Sequence, residues 1–260
     1  MAAEPVITLL TDFGLTDPFV GQMKGVLMER CPSARVVDLT HQVSPQSVEQ
    51  GAFVLSGSWH YFPKGTVHLA VVDPGVGTDR AVLGLRNAGH SFLAPDNGLL
   101  CWLAKGGELF RIDTDGEGLP DRSATFHGRD LFAPLAADLA GGRTFEDMGV
   151  PIGPEDHVHL KTPKPERDED GILHGRILMT DHFGNLLTDI PEAMIPEGHS
   201  FVAHVGDHTA PLVATYGDGE PGAPCALINS YGCLEIAVPM GSAHDLTSAT
   251  NGDPVTLHPA

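Results

Sequence analysis

Thr66–Arg80 reads TVHLAVVDPGVGTDR. An apolar, β-branched run climbs to Asp73, and the chain then breaks into Pro74, Gly75 and Gly77 before reaching Arg80. Such a run predicts a strand over Thr66–Val72 that ends in a carboxylate on a loop with little side-chain bulk. Working back from it, Val6–Leu10 (VITLL) and Ala34–Leu39 (ARVVDL) are two more short strands. Between them Phe19–Arg30 carries apolar residues at helical spacing, namely Phe19, Val20, Met23, Val26 and Leu27. Ser44–Leu55 predicts a second helix, with Ser44 as N-cap and Pro45 at its first position. Strands alternating with helices at this spacing predict an α/β domain with a mainly parallel central sheet. Parallel sheets bind ligands at the carboxyl ends of their strands, where Asp12 and Asp73 both fall.

Ala81–Leu85, Ser91–Ala94 and Leu109–Ile112 are further short strands, and Leu131–Leu139 reads as a helix stopped by Gly141-Gly142. Lys161–Gly171 (KTPKPERDEDG) is charged, proline-rich and nearly free of apolar residues. It sets the expected division: an N-terminal α/β domain over 1–163, a linker over 164–171 and a C-terminal domain over 172–260. In the latter, Ile172–Thr180, Ser200–Val205, Pro211–Thr215, Ala226–Ile228, Leu234–Val238 and Pro254–Leu257 are short strands between Gly-, Pro- and Asp-rich turns, with no convincing helix. That pattern predicts an all-β, barrel-like module.

The 260 residues carry 15 Lys+Arg against 34 Asp+Glu, a formal net charge of −19. So acidic a chain argues against nucleic acid or an anionic membrane as partner. No apolar stretch approaches the ~20 residues of a membrane helix, and the opening MAAEPVITLLTDFG has neither the basic nor the long apolar region of a secretory signal. Cys31, Cys101, Cys225 and Cys233 are scattered, which predicts a reducing, cytoplasmic setting.

Five segments can carry chemistry. In Thr11–Asp17 (TDFGLTD), Asp12 is placed to accept ribose hydroxyls, although Asp12 or Asp17 equally fits a helix cap. In the opening stretch, Asp73 and Arg80 form either a surface ion pair or a site in which Gly75 and Gly77 let the backbone approach a ligand. In Thr125–Pro134 (TFHGRDLFAP), His127 and Arg129-Asp130 precede an apolar helix; a lone histidine is more often structural than catalytic, but an Asp–Arg–His set is chemically sensible. An Asp beside Arg stays ionised and is a feeble base, which makes the histidine the better proton acceptor for a bound water. In Thr180–Thr188 (TDHFGNLLT), Asp181 suits an ammonium, Phe183 a ring and Asn185 an adenine edge, or the segment is a plain Asx turn. In Ile228–Val238 (INSYGCLEIAV), Asn229 and Ser230 lie on a tight turn that could hold a carboxylate. The His157-Val158-His159 pair lacks further ligands at metal spacing, so no metal and no cofactor is expected; no G-x-S-x-G elbow or phosphate loop is present.

Taken in order, TDFGLTDPFVGQMKGV, VVDLTHQVSPQSVEQGA, VVDPGVGTDR, APDNGLL, FHGRDLFAP, TDHFGNLLT and INSYGCLEIAV resemble one family across nearly the whole chain, the S-adenosyl-L-methionine hydroxide adenosyltransferases, relatives of the fluorinating and chlorinating enzymes. The resemblance implies hydrolysis of S-adenosyl-L-methionine to adenosine and L-methionine, by water or hydroxide attacking ribose C5′ in line with the sulfur. It implies a homotrimer with each ligand between the first domain of one subunit and the second domain of its neighbour. By motif, Asp73, Arg80 and His127 match the water-handling set, Asp12 the ribose contact, Asp17, Asp181 and Ser230 the methionine ammonium and carboxylate, and Asn185 with Phe183 the adenine side. The fluorinating relatives carry Tyr in place of Asp73, Ser in place of Gly128 and Arg in place of Tyr231, and they insert a loop where this chain runs directly through AVLGLRNAGHSFLAP. These differences favour water over halide. Halide transfer, a non-catalytic adenosylmethionine-binding protein and a His/Asp metal hydrolase are the alternatives.

Overall fold

A computed structural model of the chain describes residues 4–115 and 123–260; part of the N-terminal stretch read for a secretory signal, residues 1–3, lies outside the described residues. The chain divides into two compact units, Met1–Lys161 and Thr162–Ala260. The first contains β1 (Val6–Thr11), α1 (Phe19–Arg30), β2 (Arg35–Thr40), α2 (Val48–Ser58), β3 (Val67–Val71), β4 (Val82–Asn87), β5 (His90–Pro95), β6 (Glu108–Ile112), α3 (Ala133–Ala140) and β7 (Gly149–Ile152). The strands form one sheet in the order β2-β1-β3-β5-β4-β6-β7.

Alternation along the central strands builds two cores. Ile7, Leu9, Leu69 and Val71 pack with Met23 and Leu27 of α1 and Leu135 of α3. Leu10, Ala70 and Val72 pack on the other side with Ala52 and Leu55 of α2. Each fully buried Leu or Ile is worth roughly 1.5–3 kcal/mol over exposure. Polar side chains on the α2 side are paired: Thr8 Oγ1 meets His68 Nδ1 at 2.8 Å and His68 Nε2 meets His90 Nδ1 at 3.1 Å. Burial, with His90 adding to it, pushes His68 down to about 3 and so keeps the ring neutral.

The sheet is mixed, which corrects the expectation of a mainly parallel one. β2-β1-β3-β5 is parallel, but β4 runs antiparallel to β5 and β6, and β6 antiparallel to β7. The cause is local. Asn87 pairs with His90, leaving Ala88-Gly89 as a two-residue turn with φ of 50° and 85°, and so short a turn can only reverse the strand.

Two helix boundaries also differ, and both differences shape the site. α2 begins at Val48 instead of Ser44: the Ser44 N–H donates to Gln50 Oε1 at 2.8 Å and Gln46 takes φ 66°, so 44–47 form a turn. Ahead of α3, Gly128–Phe132 form a wide turn in which Ala133 N–H reaches back five residues to Gly128 O. Pro134 has no N–H to give Asp130 O, which removes the ordinary helical bond at that point.

The second unit contains β8 (Glu166–Arg167), β9 (Leu173–Thr180), β10 (Leu186–Pro191), β11 (Phe201–Val205), β12 (His208–Pro211), β13 (Cys225–Ile228), β14 (Cys233–Ala237), α4 (Ala243–Thr247) and β15 (Pro254–Pro259). The antiparallel order β12-β11-β15-β9-β10-β14-β13 nearly closes on itself through a bridge between Leu212 and Ala226. Phe201, Ala203 and Val205, with Leu234 and Ile236 and with Val255 and Leu257, fill the interior at every second position. Residues 164–171 hold β8, which pairs β9, and the Arg167 guanidinium donates to Met194 O. The short α4 corrects the expectation of no helix; Ser242 Oγ caps it by accepting Asp245 N–H at 3.0 Å. The strand expected over Pro211–Thr215 ends at Pro211, because Thr215 instead opens a one-turn helix whose Asp218 carboxylate accepts its N–H at 3.0 Å. No helix of the described residues is long and apolar enough to cross a membrane.

Candidate active site

Asp73 stands two residues past β3, a strand with neighbours on both sides of the sheet. Its side chain is 4% exposed and that of Arg80 9%. Arg80 Nε donates to both carboxylate oxygens at 2.9 Å and Nη2 donates to Oδ2. This is a buried, charge-assisted pair, unlike a surface ion pair. The loop between them needs its glycine: Gly77 takes φ +81°, and a Cβ there would sit 2.8 Å from the Ala124 carbonyl oxygen. The Arg80 guanidinium also lies 5.1 Å above the Phe132 ring, on the turn that follows His127.

Arg80 Nη2 reaches His127 Nδ1 at 3.0 Å. A guanidinium only donates, so Nδ1 accepts and the neutral ring carries its hydrogen on Nε2. In this arrangement the Nδ1 lone pair is taken up by Arg80. Asp73, Arg80 and His127 thus form one continuous hydrogen-bonded chain, with His127 as a donor at its outer end.

Asp73 and His127 line a cleft of about 540 Å³ whose other walls include Phe13, Phe19, Val71, Val76 and Phe126. The three phenylalanines stand edge-to-face, with centroids 5.2–6.3 Å apart. Gly128 keeps them together: a Cβ there would lie 3.0 Å from Phe13 Cε2 and 3.2 Å from Phe126 Cε2. Arg129 and Asp130 pair with each other at 2.5 Å, and Asp130 Oδ2 also takes the Ser123 N–H at 3.0 Å. The Arg129 bond holds the Asp130 carboxyl below its usual range. Asp12 follows β1 and accepts the Gln46 N–H at 2.7 Å; its neighbour Phe13 lines the cleft, while neither Asp12 nor the exposed Asp17 does.

The second unit has its own cleft of about 630 Å³, lined by Asp181, Phe183, Tyr216, Asn229, Ser230 and Glu235 among others. Asp181 is engaged in the β9–β10 turn: Oδ1 accepts the N–H groups of Phe183 and Asn185 at 2.8 and 2.9 Å, and Oδ2 accepts Asn185 Nδ2 at 3.0 Å. That is the Asx turn, and it leaves the Phe183 ring 74% exposed at the cleft. Asn185 is buried beneath, outside the lining. Among the described residues no group of three or more His, Cys, Asp or Glu is arranged to hold a metal; the His157 and His159 rings lie 4.2 Å apart.

Residues 7–149 match the model of the SAM hydroxide adenosyltransferase N-terminal domain, and residues 175–256 match that of the C-terminal domain. The chain belongs to the SAM hydroxide adenosyltransferase family. An (R)-S-adenosyl-L-methionine hydrolase of Salinispora arenicola is 41% identical over 257 residues, 97% of each chain. A fluorinase of Actinoplanes sp. is 29% identical over 90% of each. The crystal structure of an uncharacterized conserved protein from Thermotoga maritima superposes with a TM-score of 0.88 at 34% identity, covering 97% of this chain and 99% of that one.

The adenosyltransferase fold thus brings Asp73, Arg80 and His127 together in one unit, and Asp181, Phe183 and Ser230 onto one cleft in the other. Sequence reasoning passed over Phe13, Phe19 and Phe126, although Phe13 and Phe126 each adjoin a residue it chose. It also passed over Glu235, a lone charge flanked by apolar residues in CLEIA, which was the available signal. Tyr216 sits in a polar, glycine-rich stretch where an aromatic gives none.

Proposed function

We propose that this protein hydrolyses S-adenosyl-L-methionine to adenosine and L-methionine. The observation that carries the reading is the unbroken Asp73–Arg80–His127 chain on the wall of an aromatic cleft, in a chain 41% identical to a named hydrolase of that substrate. Water attacks ribose C5′; the C–O bond forms, the C5′–S bond breaks, and its electron pair returns to sulfur as a neutral thioether. No acid is needed for so good a leaving group, so catalysis is largely the positioning of one water. His127 Nε2–H donates to the water oxygen, and Asp73 takes the proton, since the Arg80 and His127 hydrogens leave it the only anionic acceptor of the three. A weak base suffices, because water bonded to carbon becomes a strong acid as the bond forms.

Asp12 takes the ribose hydroxyls, Asp17, Asp181 and Ser230 the methionine ammonium and carboxylate, and Asn185 with Phe183 the adenine. The reaction uses no metal and no cofactor. As the family resemblance implies, the ligand is held between the first unit of one copy and the second unit of another, in a homotrimer; Asp73 and His127 lining one cleft and Asp181, Phe183 and Ser230 another support that reading. A cationic ligand also suits a chain of net charge −19.

Halide transfer is the competing reading, given the relatives named fluorinases. Against it stand Asp73, whose charge repels a halide from the position opposite the sulfur, and Gly128, where a serine would press on Phe13. Purified protein incubated with S-adenosyl-L-methionine in molar chloride is expected to release adenosine and methionine in equal amounts. Accumulation of 5′-chloro-5′-deoxyadenosine would assign it to halide transfer, and undiminished substrate at high protein concentration would make it a binding protein.

A further inference from the structure

Glu235 lies in β14, paired with Leu187 of β10 and Leu227 of β13. Its neighbours Leu234 and Ile236 point into the barrel, so alternation turns Glu235 outward. An outward carboxylate ordinarily meets water. This one is 3% exposed, on the wall of the second-unit cleft. The Tyr216 hydroxyl donates to its Oε1 at 2.7 Å, and burial holds the Glu235 carboxyl above its usual range. Asn229 Nδ2 is buried on the same cleft without a hydrogen-bond partner of good geometry, and its amide favours the ionised Glu235. The other end of that amide, Oδ1, accepts the N–H of Tyr231 at 2.9 Å and that of Cys233 at 3.3 Å, which closes the turn presenting Ser230.

Burying a carboxylate costs several kcal/mol, and one neutral hydroxyl returns about 1 kcal/mol. A valine or leucine would fit a strand at position 235 at lower cost. Stability therefore does not account for the acid, whereas its place in the cleft does. The lining also contains Asp181 and no Lys or Arg, which suits a ligand rich in N–H donors or positive charge and repels phosphates.

We propose that Glu235 is a positioning residue of this cleft: its carboxylate fixes the Tyr216 ring as one wall, beside the turn that carries Ser230. The ligand class is a cationic, ring-bearing molecule, which rests on the reading that the cleft takes part of S-adenosyl-L-methionine. Neither Glu235 nor Asn229 touches the reacting carbon, so their effect falls on binding.

The test compares Glu235→Ala, Glu235→Gln, Tyr216→Phe and the Glu235→Ala/Tyr216→Phe double variant in the full chain, with thermal unfolding measured for each. Glu235→Ala is expected to raise KM about tenfold and to leave kcat within about threefold. Glu235→Gln, which keeps an acceptor for the tyrosine, restores most of that loss. The double variant is expected to be no worse than Glu235→Ala alone, since the two residues share one contact. A folded Glu235→Ala or Tyr216→Phe with unchanged KM overturns the inference, as does a loss confined to Tm and active fraction. A wild type that leaves S-adenosyl-L-methionine intact fails the hydrolase reading instead. Calorimetry with adenosine then tests the positioning: about tenfold weaker binding by Glu235→Ala supports it, while equal affinity, or no binding by the wild type, overturns it.

Discussion

Asp73→Asn is expected to lower kcat by about 10²–10⁴-fold while KM moves by less than about threefold. Asparagine keeps the shape of the side chain and one oxygen for Arg80 Nε, but it removes the negative charge that, on the proposed mechanism, takes the proton of the attacking water. The isostere matters because Asp73→Ala would leave the guanidinium of Arg80, itself 9% exposed, buried without its partner, at a cost of about 3–5 kcal/mol. Loss of activity in the alanine variant would then mix chemistry with unfolding. His127→Ala separates the two roles in the chain: losing one donor to the water is expected to cost about 10²-fold in kcat. His127→Gln, which still offers an N–H but is no base, is expected to recover most of that loss. Equal, severe losses in both His127 variants would make the histidine the proton acceptor and contradict the hydrogen bond that Nδ1 receives from Arg80.

Mixing two inactive variants is expected to restore activity. Asp73→Asn damages only the first-unit cleft and Ser230→Ala combined with Asp181→Asn only the second. If each ligand is held by the first unit of one copy and the second unit of another, a 1:1 mixture with subunit exchange contains about a quarter of its sites with both halves intact. Turnover should rise from near zero toward about a quarter of the wild-type rate as exchange proceeds. Light scattering should give three chains per particle. No recovery after demonstrated exchange would place both halves of each site in one chain.

Much of this arrangement is legible in the residues. The TVHLAVVD run makes β3 and puts Asp73 at its carboxyl end, because a continuous apolar strand can only be central to a covered sheet. Arg80 follows within reach because a loop holding Gly77 at φ +81° folds back on itself. What was hidden depends on contacts distant in sequence or on small turns. The reversal at Ala88-Gly89 carries no Asn-Gly signal, so the antiparallel half of the sheet could not be read. The wide turn before α3 depends on the missing N–H of Pro134, within an otherwise ordinary helical pattern. The histidine tautomer depends on which nitrogen meets Arg80, 47 residues away, and no periodicity encodes that. Asp181 showed its residue type but not that its carboxylate is engaged by the turn it stands in.

The origin of the new C–O bond bears most directly on the central claim that a water held by Asp73 and His127 attacks ribose C5′. Single-turnover reaction of the protein with S-adenosyl-L-methionine in H₂¹⁸O, followed by mass spectrometry of both products, locates that bond. Label in the 5′-hydroxyl of adenosine and none in methionine is the predicted result; unlabelled adenosine would contradict the account.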